Sequence, residues 1–334
     1  MYPRGSATNA SVDQGVVRTR TAWNERFEHW ERPASDSEEV KIERAARMVR
    51  DALDGRDFLG LKHVQVIGQG SYFNNTNTRL ESDMDLRVDW RDTCLLVADK
   101  GMAFDQAQAA LKLVSTSNDV SDVAAHHRVR VWLALSDAFG ADQVVPGNKS
   151  LKLKSIPNSR APADVVPTIR CLYAVPSGAG LLSLYPREVE GVAIYDRDGG
   201  RTINFPALHH ENGKQKHADT LRRFKKLVRI QKCLRDELIE LGYLRKGQVP
   251  SFLIECLVYA APNWAFLVDE DRYDRVRRVL VEMADLLRHP LRCLATTEIN
   301  GIKPLFGAFL GQQQPWTPDD ARAFIAAAWT RLEA

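Results

Sequence analysis

The sequence predicts an α+β fold of two lobes, with strands and helices mixed in the first lobe and helices alone in the second. Three observations predict it. From about residue 64 to residue 205, short apolar runs and apolar–polar alternations recur between Gly, Asn and Pro punctuation, which is the signature of strands. From about residue 216 the pattern changes to long amphipathic helical stretches with almost no strand signal. The chain has 334 residues, too many for one small core and suited to two lobes, so a cleft is expected between them.

The elements follow in order. Residues 1–20 are polar and rich in Gly, Ser and Asn, and read as a disordered arm. Ser35 with Glu38 forms a capping box, and Val40, Ile42, Ala45, Ala46, Val49 and Leu53 recur at helical spacing, so a long helix is expected over 36–54. "HVQVIGQGS" is a strand ending in a turn and "SDMDLRVDW" a second strand. "DQAQAALKLVSTS" and "DVAAHHRVRVWLALSDAFG" are helical. "NKSLKLKSI", "ADVVPTIRCLYA", "EGVAIYDR" and "TINFP" are strands, the last two joined by a hairpin at "DRDGGR". Helices are then expected at 218–243, 250–260, 268–289 and 317–332. The domains expected are therefore the arm at 1–20, a core at 21–215 that includes the first long helix, and a helical lobe at 216–334.

Composition excludes several classes. A net charge of +3 is too small for a nucleic-acid coat protein, though it leaves room for a local basic site. The cysteines (Cys94, Cys171, Cys233, Cys256, Cys293) are odd in number and contain no C-x-x-C pair, which speaks against a zinc ribbon and for a reducing compartment. No apolar run has the length of a membrane span, and "MYPRGSATNASVDQG" has no apolar signal-peptide core, so a cytoplasmic protein without membrane contact is expected.

The chemistry concentrates at "GQGSYFNNTNTRLESDMDL", residues 68–86. Asp83 and Asp85, two apart on a strand, share a face and repel. A divalent cation offsets that cost, since magnesium takes oxygen ligands from one or two carboxylates together with substrate phosphates and water. Gly70 permits close approach of a phosphate, and Ser71 sets a hydroxyl beside it. A third carboxylate is sought on a neighbouring strand, and Asp164, which leads an apolar strand in "ADVVPTI", is the best candidate. Three carboxylates can hold two metals, one activating a hydroxyl and the other stabilising a departing pyrophosphate. In "LRRFKKLVRIQKCLRDEL", residues 221–238, Arg222, Lys225, Lys226, Arg229 and Lys232 occupy an arc of about 120°, opposite Phe224, Leu227, Ile230 and Leu234. This stripe supplies cations for a phosphate site.

Weaker signals receive structural readings. His209 and His210 are expected in a structural or loop role, with no further Cys or His at zinc-ligand spacing. "DRDGG" is a turn, and Lys152 and Lys154 read as an edge-strand device that could also touch nucleotide. Trp23, Trp30, Trp264 and Trp316 are assigned to core or lobe packing, and "LIECLVYAA" to a buried helix.

These residues carry a family resemblance. Gln69-Gly70-Ser71-Tyr72, Asn75-Thr76-Asn77 and Ser82-Asp83-x-Asp85 resemble the signature of the bacterial cGAS/DncV-like nucleotidyltransferases, within the polymerase-beta-like superfamily. "ADVVP" (163–167) resembles the strand with their third metal ligand, and residues 204–220 and 250–263 resemble later family segments, so the likeness runs from about residue 23 to the end. The resemblance implies a polymerase-beta-like core with a mixed sheet, packed against a helical lobe with the active site between them. It implies two nucleotidyl transfers from nucleoside triphosphates, each releasing pyrophosphate, that close a cyclic dinucleotide or larger ring used as a second messenger in anti-phage defence.

The implied metal is Mg2+, or Mn2+, with two ions held by Asp83, Asp85 and Asp164, and with Asp164 helping to deprotonate the attacking hydroxyl. Gln69, Gly70 and Ser71 would meet the nucleotide. A cation from the basic helix (Lys225, Arg229 or Lys232) and Ser251, at the start of the next helix, would grip the triphosphate. A cyclic-nucleotide-sensing effector and regulatory proteins of a defence operon are the implied partners. Animal relatives engage DNA through a zinc insertion that has no counterpart here, so no DNA requirement is expected. Two rival readings make different demands. A terminal nucleotidyltransferase acting on RNA or a small acceptor calls for an RNA-binding module, which is not evident. An inactive nucleotide or nucleic-acid sensor calls for a lost carboxylate and a more basic surface.

Overall fold

The computed structural model describes residues 19–33, 36–57, 60–78, 84–99, 104–110, 119–157, 159–176 and 186–333. Among the described residues, the first lobe is built on a seven-stranded mixed sheet. Strand β1 (Val64–Gln69) runs antiparallel to β2 (Met84–Ala98), and β2 runs parallel to β5 (Ala163–Pro176). The beginning of β5 pairs with β4 (Leu151–Leu153), which pairs with β3 (Val144–Pro146) at the edge. The far half of β5 pairs instead with β6 (Pro186–Tyr195), and β6 with β7 (Arg201–Asn204) through the expected hairpin. Lys152 therefore lies on an inner strand, and its edge-strand reading is corrected; β3, hidden among residues too few to show a period, is the strand that forms the edge.

Side-chain alternation decides which face carries chemistry. Met84, Leu86 and Val88 of β2, Ala163 and Val165 of β5, and Leu151 and Leu153 of β4 are buried in one cluster. They pack beneath helices α2 (Asp36–Leu53) and α5 (Val120–Phe139), which contribute Ile42, Ala46, Val49, Val131 and Leu135. With a period of two, the intervening residues face the other way, toward the helical lobe. The α2 span matches the expected helix, while Ser35, its expected cap, lies outside the described residues. One buried polar contact fixes α5 to β2: His127 Nε2 donates to the carbonyl of Val88 at 2.8 Å.

Between the two strands of the opening motif, Gly70–Phe73 forms the single turn α3. Helix α4 (Phe104–Ala110) follows β2. In the helical lobe, α6 (Pro206–Asp219), α7 (Phe224–Glu240), α8 (Ser251–Ala260), α9 (Trp264–Leu267), α10 (Arg272–Arg288), α11 (Pro290–Ala295) and α12 (Pro318–Glu333) follow in order. The single helix expected at 218–243 is thus two, broken where Leu221 and Arg222 take φ of 50° and 59°. Left-handed backbone at two non-glycine residues left no glycine or proline signal in the sequence.

The expected division after residue 215 falls inside α6. Helix α1 (Arg20–Trp30), which no period announced, sends Trp23 and Phe27 into the helical lobe's core, although it precedes the sheet in the chain. A two-stranded hairpin, β8 (Ala308–Phe309) with β9 (Gln312–Gln313), places Phe309 edge-on to Tyr173 and Phe205. Trp23 and Trp316 are buried and Trp30 packs against the same cluster, but Trp264, at the start of the short α9, is 52% exposed.

Burial drives the pKa of His127 down to about 4, with the Val88 hydrogen bond opposing and Arg130 reinforcing the shift. A depressed histidine pKa favours the folded state above the unfolded value of about 6.5 and loses that contribution as pH falls toward 4. In urea unfolding, His127→Leu should narrow its stability gap to the parent by about 2 kcal/mol between pH 7 and pH 5. An unchanged gap would show that His127 is not held neutral.

Candidate active site

The register of the sheet assembles a row. Gln69 of β1 pairs with Asp85 of β2, Asp85 with Asp164 of β5, and Asp164 with Lys152 of β4. Directly opposed residues share a face, so these four side chains stand side by side on the face away from α2 and α5. The two carboxylates are neighbours although 79 positions separate them in sequence. Lys152 Nζ lies 3.9 Å from Asp164 Oδ2 and partly offsets the repulsion. Asp83 and Ser82 lie outside the described residues. Among the described residues, no three metal-binding side chains converge.

Gly70 is required by this row. Its φ is 72°, and an added Cβ would fall on Asp85 Oδ2, 2.7 Å from the carboxyl carbon. The Asp85 carboxylate thus rests against the bare backbone of the turn, which forms the beginning of α3 with Ser71. Beyond it, Thr76 N donates to the Ser71 carbonyl at 2.8 Å.

A cavity of about 760 Å³ opens between the lobes. The first lobe contributes Gln69, Gly70, Ser71, Asp85 and Asp164, and the helical lobe contributes Lys232 and Ser251. Lys225 and Arg229 do not line it. Arg229 turns toward the backbone instead: Nε donates to the Glu31 carbonyl at 2.7 Å and Nη1 to the Asn75 carbonyl at 2.7 Å. Burial lowers its pKa to about 10. Burial, reinforced by Arg229, also lowers that of Lys225, whose amide donates to His217 Nδ1. Lys226 pairs with Glu31 at 3.1 Å, and Arg222 lies outside the helix. The cationic arc is real as a helical face, but the packing of α1 and of the Asn75 loop divides its members among separate acceptors.

Lys232 is fully buried, and its Nζ lies 2.6 Å from Glu255 Oε1. Burial pushes the Glu255 carboxyl up, yet Lys232 together with nearby His209 outweighs it and holds the pKa at about 2. Thr76 Oγ1 donates to the same Oε1 at 2.8 Å, and His209 Nε2 lies 3.6 Å from Oε2. Ser251 opens α8 after Pro250, and Arg235 Nη1 donates to its Oγ at 2.7 Å. Further cavity residues that the sequence does not single out include Lys149, Asn204, Glu255 and Lys303, and His209, expected in a structural or loop role, lines the cavity from α6. Glu255 had left a trace, as a lone carboxylate inside "SFLIECLVYA", one turn after Ser251.

Breaking one side of a buried ion pair strands the other charge, at a cost of about 3–5 kcal/mol, whereas removing both is often neutral. Lys232→Met alone should therefore lower the unfolding free energy by about that amount in denaturant titration. Lys232→Met combined with Glu255→Gln should recover most of the loss.

Residues 211–333 match the model of the cGAS/DncV-like nucleotidyltransferase C-terminal helical domain. A cyclic dipyrimidine nucleotide synthase CdnE from Legionella pneumophila is 32% identical over 93% of this chain and 98% of its own. A cyclic dipurine nucleotide synthase from Elizabethkingia meningoseptica is 30% identical, over 91% and 96%. The solved structure of Elizabethkingia meningoseptica CdnE cyclic dinucleotide synthase with GTP and Apcpp superposes with a TM-score of 0.72 at 28% identity, covering 93% of this chain and 99% of that one.

Proposed function

The chain belongs to the cGAS/DncV-like nucleotidyltransferases, and from that premise we propose how its residues divide the work. It is a nucleotidyltransferase that joins nucleoside triphosphates into a cyclic oligonucleotide. A ribose hydroxyl attacks an α-phosphate, the new phosphodiester forms, and the bond to pyrophosphate breaks. The observation that carries the division of roles is the placement of Asp85 and Asp164, side by side on adjacent strands, across one cavity from Lys232 and Ser251.

Enzymes of this family depend on metal, and the donors suit one. Asp85 and Asp164 offer the hard carboxylate oxygens that magnesium takes, at a cavity open to substrate. We assign Asp85 and Asp164 as ligands on this geometry, and Asp83 on the motif alone, for two Mg2+ ions that Mn2+ can replace. Held by these carboxylates, such ions would supply Lewis-acid stabilisation of the charge that builds on the phosphates as pyrophosphate leaves.

The chain's own groups do the remaining work. Gly70 and Ser71 bring backbone and hydroxyl to the phosphates, and Gln69 flanks them in the row. Lys232 presents a positive charge, and Ser251 a hydroxyl at the start of α8, where helix amides favour an anion. Asp164 takes the proton of the attacking hydroxyl. Arg229 instead holds the Asn75 loop and the chain after α1 to the helical lobe. We place the work in the cytoplasm, the reducing compartment suited to an odd number of cysteines without a C-x-x-C pair. The product would act on a cyclic-nucleotide-sensing effector in anti-phage defence, under regulatory proteins of the same operon and without a DNA requirement.

Purified protein incubated with Mg2+ or Mn2+ and labelled ATP, GTP, CTP and UTP, singly and mixed, should yield a phosphatase-resistant product and pyrophosphate, and EDTA should stop it. Asp85→Asn, Asp164→Asn and Gly70→Ala should each slow turnover by at least about 100-fold. Linear, primer-dependent extension would replace ring closure with terminal transfer, and inactivity in every mixture would remove the catalytic reading.

A further inference from the structure

A carboxylate beside a triphosphate subsite is a repulsive element, so the presence of Glu255 needs a reason. It is 4% exposed, lines the cavity with Lys232 and Ser71, and lies where four segments meet. Lys232 of α7 stands 2.6 Å from Oε1, and Thr76, from the loop after α3, donates to the same oxygen at 2.8 Å. His209 of α6 stands 3.6 Å from Oε2 and stacks on Phe252 of α8, with ring centroids 5.4 Å apart. Thr76 is also tied to the Ser71 carbonyl, through its amide at 2.8 Å and its hydroxyl at 3.3 Å. One carboxylate therefore touches the cation of one lobe and the support of the phosphate turn of the other.

Stability does not explain this arrangement, since buried ion pairs are commonly matched or surpassed by apolar packing of equal volume. Aim does explain it. Seated on a carboxylate oxygen at 2.6 Å, the Lys232 ammonium is held at one point of the cavity wall, where an unanchored four-carbon side chain would not stay. A fixed Oε1 also keeps Nζ and the Ser71 turn at constant separation, so that both ends of the phosphate subsite are set before nucleotide arrives.

We propose that Glu255 is a positioning residue for nucleoside triphosphate binding: it anchors the Lys232 ammonium at the cavity wall and, through Thr76, holds the Ser71 turn in register with it. The inference rests on the reading of Lys232 as a phosphate contact, and the experiment separates the two. Apparent KM and kcat for labelled nucleoside triphosphate are measured for the parent, Glu255→Gln, Lys232→Met and the double variant, with thermal unfolding to identify folded protein. Glu255→Gln should raise KM by about tenfold and change kcat by less than about threefold, the pattern of lost ground-state binding. The double variant should then be no worse than Glu255→Gln, because the cation it removes has already lost its effect.

A parental KM in Glu255→Gln would overturn the inference. So would a further tenfold loss in the double variant, which would mean that the two residues act independently. A parental KM in Lys232→Met would overturn the phosphate role of Lys232 itself and the inference with it, a pattern distinct from either. Should Lys232→Met fail to fold, the comparison of Glu255→Gln with the double variant, which carries no stranded charge, decides alone.

Discussion

The parallel pairing of β2 with β5 is the constraint on which the rest of the molecule depends. It places Asp85 directly beside Asp164 and, one residue on either side of the pairing, sends Ala163, Val165, Met84 and Leu86 to the opposite face. A parallel pair needs a long crossover, and here the crossover supplies α5 and the short strands β3 and β4 before the chain returns. A slip of one residue in this register would turn the carboxylates into the core beneath α5 and the valines toward the cavity. The apolar cluster below therefore enforces the spacing of the acidic row above, and the repulsion within that row is a cost carried by packing elsewhere.

The helical lobe meets that row with cations that are mostly already in use. A helix with basic residues over about 120° of its circumference would ordinarily face water. Here the arc faces the lobe junction, where Glu31, the Asn75 carbonyl and Glu255 accept from it one by one. Arg229 and Lys226 thus bind α1 and the Asn75 loop to the helical lobe, leaving Lys232 as the member of the arc at the cavity. Helix α1 joins the same arrangement through Glu31, whose carboxylate accepts from Arg272 as well as Lys226. Structural and phosphate-facing cations share one helix because successive turns meet different neighbours.

The sequence made much of this legible, and the limits have physical causes. Period-two alternation located β1, β2, β5, β6 and β7, and the apolar spacing from Val40 to Leu53 located α2. Helix α6 escaped notice because "PALHHENGKQKHAD" is polar around most of its circumference, so nothing periodic distinguishes it from a loop. The break before α7 is made by Leu221 and Arg222, residue types that do not announce left-handed backbone. At the site, the motif singled out Gly70 and Asp85, and its place at the head of an apolar strand singled out Asp164. Which basic residue reaches the cavity was not legible, since all three lie on one helical face and only the packing of α1 and the Asn75 loop separates them. Glu255 was hidden by its apolar neighbours, and its importance arises from tertiary contacts 23 to 179 positions away.

The cavity itself separates two tasks. Four of its charged members, Asp85, Asp164, Lys232 and Glu255, stand on strands and helices whose registers are fixed by packing, while Lys149, Glu298 and Lys303 come from the connecting segments. Its remaining wall includes Ile194, Thr202, Asn204, Phe205, Phe252 and Trp316, neutral groups whose shapes and hydrogen-bonding edges can meet a base. Phosphate geometry is common to every nucleoside triphosphate, so rigid, charged elements can serve any of them. Discrimination between bases requires the opposite, a few neutral side chains whose exchange leaves the charged frame intact. Relatives about equally similar to this chain that are named for dipyrimidine and for dipurine products are what such a division allows.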